Sequence, residues 1–381
     1  MMSEGLQIQV APTRTFGGTN ISREPSQGQT LLLVVFCYAF YLCVLSLVTG
    51  YWGVVSYYGD NQPYAQISSA IRHWDFSQLH PKLFWGLPYA MALVSKSTGA
   101  SDLKSLLFIS MAASLIVIFM IYRLWGGWVA GFFAVASREW IERSLLGGAE
   151  PLFLACVLGS FVAARKQRWL LASLLASLAA IVRPMGIFAL VGVGVALLVK
   201  RDFRRLVPAV LIGVTVGILY ILPLVLYLGS PLANVKGYDQ ADWKSGMPLS
   251  IPLVAITQDA LAGRATRLNL ARTVLWIVLI LISTGVIIFR KASRDYLRQF
   301  PVEGTFFVLY VLLLFTYNSS WAREEFPRFA IPIIPFVVLG LLPWIPKDRR
   351  LLWAFGIFSA TLSAIETVGF VHTAEMIRKA L

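Results

Sequence analysis

Four ionisable side chains sit beside Gly or Pro where long apolar runs begin or end: Asp60, Glu150, Arg183 and Arg328. Asp60 lies in Tyr57-Tyr58-Gly59-Asp60-Asn61-Gln62-Pro63-Tyr64, just past the first apolar run. A carboxylate there is partly desolvated yet reachable, the setting a general base needs. The same residue could equally cap the helix that follows. Glu150 follows Gly147-Gly148-Ala149 and precedes Pro151, a pattern that favours a helix start and its macrodipole. It is also a second candidate catalytic carboxylate. Arg183, between Ala180-Ile181-Val182 and Pro184-Met185, is a cation inside an apolar hairpin. Such a residue marks a functional site by default, although it can also snorkel to the interface. Arg328 lies in Glu324-Glu325-Phe326-Pro327-Arg328-Phe329-Ala330-Ile331-Pro332-Ile333-Ile334-Pro335. A guanidinium at the entrance of a Pro-interrupted helix can clamp a phosphate through two hydrogen bonds. Glu325 either shares that contact with substrate or pairs with Arg328 structurally.

A second set of groups lies in the first loop. From Asp60 an amphipathic stretch runs through Ile71, Arg72 and Trp74 to His80-Pro81-Lys82-Leu83. Tyr64, Arg72, His80 and Lys82 are candidate substrate contacts there. Arg138-Glu139-Trp140-Ile141-Glu142-Arg143 reads as local pairing along one helix. Two carboxylates with His80 nearby could hold a divalent cation, but no ligand spacing demands one. Cys37, Cys43 and Cys156 all lie in apolar runs and read as small buried hydrophobes.

The elements that must carry these residues follow from composition. Of 381 residues 57% are hydrophobic and only 14% charged, and mean hydropathy is +0.71. Soluble domains carry about a quarter charged residues, which excludes a soluble enzyme, a disordered chain or a disulfide scaffold. The apolar runs are continuous, so an alternating outer-membrane barrel is excluded too. The chain is an all-α polytopic membrane protein.

Basic clusters at Arg123, Arg165 to Arg168, Lys200 to Arg205, Arg290 to Arg298 and Lys347 to Arg350 mark the cytosolic face by the positive-inside rule. The expected crossings are 31–55, 104–122, 128–145, 150–164, 169–182, 185–199, 206–228, 272–289, 304–318, 329–342 and 351–371, about 11 in all. Several are too short to span ~30 Å, and the pair around Arg183-Pro184 reads as two broken or tilted helices. Residues 1–30 are a polar cytosolic tail without a cleavable signal, and 31–381 form a single transmembrane domain. Within it, 56–103 is a first outer loop with juxtamembrane helices, in which 82–97 is juxtamembrane or re-entrant. Residues 229–271 form an outer loop that could act as a lid. The protein is expected in the plasma (inner) membrane, its N-terminus cytosolic and its site facing outward. Roughly half of the 33 Lys and Arg then fall on the outer side. Headgroup anchoring explains any one of them. Together they suggest an anionic lipid-phosphate ligand and no nucleic-acid partner.

An Asp in the first outer loop, an amphipathic segment closed by His-Pro-x-Leu, an acidic residue in the second outer loop, an Arg-Pro hairpin and an R-F-x-x-P-x-x-P entry to a late helix form one ordered set. That order resembles the integral-membrane glycosyltransferases of the GT-C superfamily, which take sugars from polyprenyl-phosphate carriers. The resemblance covers residues 31 to about 345. It implies a GT-C-like bundle, with Asp60 as general base on the acceptor, Arg328 on the donor phosphate, and Glu150 supporting the site or a metal. Membrane lipids and a lipid, glycan or protein acceptor would be the partners. Two departures stand out: Asp60-Asn61 replaces the two carboxylates many relatives carry, and His80-Pro81-Lys82 replaces the commoner His-Pro-Pro.

The residue types suit that chemistry on their own terms. A leaving phosphate needs a cation in a low-dielectric site. A base opposite the anomeric carbon gives inversion, whereas retention calls for a second carboxylate nucleophile close by. The competing reading is a transporter or flippase of a lipid-linked or anionic substrate, which also uses broken helices and intramembrane Arg. No internal repeat supports it.

Overall fold

The structure, a computed structural model, describes residues 51–75, 83–234, 249, 251–254, 267–317, 325–341, 344 and 349–380, with scattered positions between 32 and 43. The tail 1–30, His80, Lys82 and most of the 229–271 loop lie outside the described residues. A chain in lipid must satisfy its backbone internally, and helices do this segment by segment. In order they are α1 (Tyr51–Tyr57), α2 (Asn61–His73), α3 (Gly86–Thr98), α4 (Asp102–Trp125), α5 (Gly127–Ala136), α6 (Arg138–Leu145), α7 (Glu150–Arg165) and α8 (Trp169–Val182). A 3-10 turn, Pro184–Gly186, leads to α9 (Ile187–Val199), then come α10 (Phe203–Leu228), α11 (Arg267–Phe289), α12 (Lys291–Gln299) and α13 (Pro301–Thr316). Finally α14 (Phe326–Ala330) passes through a 3-10 turn, Ile331–Ile333, into α15 (Ile334–Leu341), and α16 (Arg349–Ala380) follows. Among the described residues there is no sheet, only an isolated bridge between Leu249 and Tyr317.

The outer surfaces of α10 and α16 are as apolar as the core. Val207, Leu211, Val214, Ile218 and Leu222 point outward on α10, as do Trp353, Phe355, Ile357, Phe358 and Leu362 on α16. A helix apolar all round belongs in lipid, and the chain is an integral membrane protein. Among the described residues four helices are long and apolar enough to cross alone, or six if each of two bent pairs is one span. Three shorter apolar helices, Trp169–Val182, Pro184–Val199 and Phe326–Leu341, accompany them. At 13 or 14 residues, α8 and α9 rise only about 20 Å each. Helix α3, which contains most of the expected juxtamembrane segment, also has 13 residues.

One expected crossing is corrected. Residues 128–145 do not form one span: Ser137 is extended (φ −126°, ψ 115°) and its hydroxyl accepts from the Trp140 backbone N–H, so α5 ends and α6 starts anew. Helix α6 then meets α7 at 104°. Gly147 makes that bend at φ +97°, a conformation that side chains other than glycine rarely adopt. Indole packing secures the corner, with Trp140 against Phe133 (4.6 Å between centroids) and its Nε1 donating to the Tyr41 hydroxyl at 2.8 Å.

Helix α7 carries a polar network at each end, about 24 Å apart. At its C-terminal end, Arg165 donates to both oxygens of Glu303 (2.6 and 2.9 Å), to the Tyr296 hydroxyl (2.6 Å) and to the Leu124 carbonyl (3.1 Å). Trp125 Nε1 also reaches Tyr296. This ties α4, α7, α12 and α13 together beside the basic clusters. A two-point Arg–Glu pair with its remaining donors satisfied is the form in which buried charge is tolerated.

Candidate active site

The other end of α7 gathers charge from four chain breaks. Asp60 stands in the α1–α2 turn, Arg143 near the end of α6, Glu150 at the start of α7, Arg183 just past α8, and Arg328 on α14 with Glu325 before it. Each charged group is placed by a helix terminus, a Pro or a Gly. Pro327 sits in the first turn of the five-residue α14, where its missing N–H costs nothing, and Pro332 and Pro335, which lack N–H donors, keep the following backbone from continuing as one regular helix.

Glu150 is the hub. It is 1% exposed, and its Oε1 accepts from Arg183 Nη2 at 2.6 Å and from Arg328 Nε, with Arg143 Nε 3.8 Å away. Among the described residues Glu150 Oε2 has no hydrogen-bond partner. Arg328 also donates Nη1 to Glu325, and its Nη2 lies 3.9 Å from Asp60 Oδ2. Phe329 places its ring 5.7 Å from the Arg183 guanidinium and 6.0 Å from that of Arg328. Burial raises the Glu325 carboxyl, but the guanidiniums of Arg328 and Arg143 outweigh it and hold it below the usual carboxylate range.

Asp60 makes no side-chain cap: only its backbone carbonyl accepts, from Tyr64 N–H at 2.9 Å. Its carboxylate, 42% exposed, is left facing the arginines. The adjacent Asn61 is fully buried and donates its amide to the carbonyls of Val55 (2.8 Å) and Leu146 (2.7 Å), pinning the Asp60 turn to the Glu150 turn.

The structure thus brings Asp60, Glu150, Arg183, Glu325 and Arg328 together. Two expected contacts are engaged elsewhere. Arg72 pairs with Asp102 at 2.7 Å, where Ser68 also donates at 2.6 Å, joining α2 to α4. Tyr64 is buried in the apolar core. His80 and Lys82 lie outside the described residues. Two described parts of the 229–271 stretch are docked on the bundle: near its start Asn234 donates to the Leu83 carbonyl at 2.5 Å, and in its middle Leu253 N–H donates to the Phe315 carbonyl at 3.0 Å.

Arg143 was hidden in a pattern read as local pairing. Arg138 and Glu142 do pair at 2.8 Å as i,i+4 neighbours. Arg143 is five residues beyond Arg138, about 140° round the helix, and faces the site instead. Its guanidinium lies over the Tyr58 ring at 4.5 Å, while the Tyr58 hydroxyl donates to Glu142 at 3.1 Å. Glu139 turns away to Arg272 on α11. That turn of helical angle was the available signal.

Among the described residues the donor set does not suit a divalent cation, and His80 lies outside them. Arginines surround the Glu150 carboxylate, and among the described residues no three His, Cys, Asp or Glu side chains form a ligand group.

The sequence profile of glycosyltransferase family 87 matches residues 81–317, a span that contains Arg143, Glu150 and Arg183. No curated protein matches the sequence. The chain is similar to the crystal structure of ArnT from Cupriavidus metallidurans bound to undecaprenyl phosphate, with TM-score 0.51 and 14% identity, over 94% of this chain and 73% of that one. The apo-state structure of the same protein gives TM-score 0.46 and 14% identity, over 92% and 72%. At such identity the bound-state match establishes a shared fold, the GT-C bundle expected from the motif order.

Proposed function

The chain belongs to glycosyltransferase family 87, and we propose that it transfers a sugar from a polyprenyl-phosphate donor to an acceptor at the outer face of the membrane, inverting the anomeric centre. The observation that carries this reading is the uncapped Asp60 carboxylate facing Arg328 across 3.9 Å, at the end of the bundle opposite the basic clusters.

In the proposed reaction Asp60 takes the proton from an acceptor hydroxyl as its oxygen attacks the anomeric carbon. The bond from that carbon to the phosphate oxygen breaks, and its electron pair leaves with the phosphate. Arg328 meets the charge that develops there, in a site where low dielectric strengthens the contact. Attack and departure on opposite sides give inversion in one displacement. Glu150, buried under its arginines, holds their guanidiniums in place and is not itself exposed to substrate. Arg183 orients the hub from the far side. The ArnT structure that shares the fold carries undecaprenyl phosphate, which supports a polyprenyl-phosphate carrier here.

The test is sugar transfer from a polyprenyl-phosphate sugar by the purified protein, wild type against Asp60→Asn, with the anomeric configuration of the product determined. Near-normal turnover in Asp60→Asn, or a retained configuration, would remove Asp60 from the mechanism.

A further inference from the structure

Arg143 is deeply buried yet weakly engaged. It is 5% exposed, but its Nε stands 3.8 Å from Glu150 Oε1 and its Nη2 3.8 Å from Glu325 Oε2. Both distances exceed a hydrogen bond, and among the described residues Nε has no partner. What holds the guanidinium is the Tyr58 ring at 4.5 Å and the backbone of Gly59. Gly59 has φ +51°, and a Cβ there would come within 2.9 Å of Arg143 Nη1. The group is therefore oriented by a ring and a close-passing backbone, with its donors left over.

Those donors point to the same place as those of Arg328. Arg328 gives Nη1 to Glu325 Oε2, the oxygen that also lies nearest to Arg143 Nη2. One carboxylate oxygen is thus flanked by two guanidiniums. Planar guanidiniums bind carboxylates and phosphates with the same fork of donors.

Of the three carboxylates in the cluster, Glu325 is the one suited to leave. Glu150 is 1% exposed and bound to Arg183 at 2.6 Å, and among the described residues Asp60 touches one guanidinium, at 3.9 Å. Glu325 is 37% exposed and precedes α14 in a turn. Three arginines balance three carboxylates when all are in place. Incoming phosphate would therefore meet a neutral cluster, unless one carboxylate makes room.

Resting on the polyprenyl-phosphate reading above, we propose that Arg143 and Arg328 together form the phosphate subsite and that the Glu325 carboxylate occupies it until the carrier's phosphate displaces it. Arg143 thereby joins the phosphate-binding groups, and Glu325 is an internal competitor of the substrate.

The test is direct binding of undecaprenyl phosphate to the purified full chain in nanodiscs of zwitterionic lipid. Glu325→Gln should bind about tenfold tighter than wild type or better, the scale of one charge-assisted contact. Arg143→Gln should bind about tenfold more weakly, and Arg143→Lys, which keeps the charge but loses the fork, should also weaken binding if the Gln variant fails to fold. Glu325→Asp, which keeps the charge but shortens the reach to Arg328, should also bind more tightly, a gain that charge removal alone does not produce. If wild type binds and Glu325→Gln binds equally or more weakly, the displacement is refuted. Unchanged affinity in the Arg143 variants removes Arg143 from the subsite. If neither wild type nor Glu325→Gln binds undecaprenyl phosphate, the functional reading falls, and this inference with it.

Discussion

Neutralising Glu150 without changing its shape isolates what the hub contributes. In Glu150→Gln three guanidiniums remain, with only Asp60 and Glu325 to balance them, both at least a third exposed. The lost contacts are the 2.6 Å bond from Arg183, the Arg328 Nε bond and the longer approach of Arg143. Removing one partner of a buried ion pair costs about 3–5 kcal/mol. The Gln amide oxygen still accepts from one arginine, so the lower end, ~3 kcal/mol, is expected. Unfolding entropy of about 2.1 cal/mol/K per residue over 381 residues gives roughly 0.8 kcal/mol/K, so Tm should fall by about 4 °C. Thermal denaturation in one fixed detergent measures this, with Asp60→Asn as the comparison. That carboxylate is 42% exposed with one long contact, so its Tm should move by less than about 1 °C. Equal Tm values for the two variants would refute the hub.

Asp60→Asn should keep the fold and lose at least ~100-fold in turnover, the scale of a general base, in the sugar-transfer assay. Arg328→Ala should weaken undecaprenyl-phosphate binding by ~2 kcal/mol or more, and Arg328→Lys should lose much of the activity because one ammonium cannot reproduce the planar fork. Binding titrations and turnover on both variants check this. Glu303→Gln, at the far end of α7, should lower Tm by several degrees, as Arg165 loses its two-point partner. Its effect on the affinity for undecaprenyl phosphate should be smaller than that of Arg328→Ala, and the same two assays separate the effects.

The candidate site was legible where a charge stood beside a Pro or Gly at the edge of an apolar run. Asp60, Glu150, Arg183 and Arg328 could be picked out because lipid leaves few reasons for a charge beside a Pro or Gly break. The same sparseness outlined most helices: α8 spans the expected 169–182 and α9 follows the Arg183-Pro184 break. Arg143 stayed hidden because its neighbours Glu139 and Glu142 offered local partners at helical spacing, and only the fold shows that these face other helices. The break at Ser137 was hidden in the same way, since an apolar run followed by a charged one has no punctuation until the serine caps the second helix. Glu303 stands just before the expected crossing 304–318 and drew no reading of its own. Its partner Arg165 is 138 residues away, a separation that helical periodicity does not reveal.

The clamp of Arg165, Glu303, Tyr296 and Trp125 gives the molecule a hinge pin. Four helices are fastened at that end, whereas the opposite end is assembled from turns, short helices and prolines. Rods pinned at one end sweep widest at the other. A small rocking of α7 about Arg165 would therefore carry Glu150, and with it the grip on Arg183 and Arg328, through the largest arc available to the helix. The bundle would work as tweezers: firm at the joint around Arg165, compliant at the tips where, in the proposed reaction, a carrier phosphate enters and leaves.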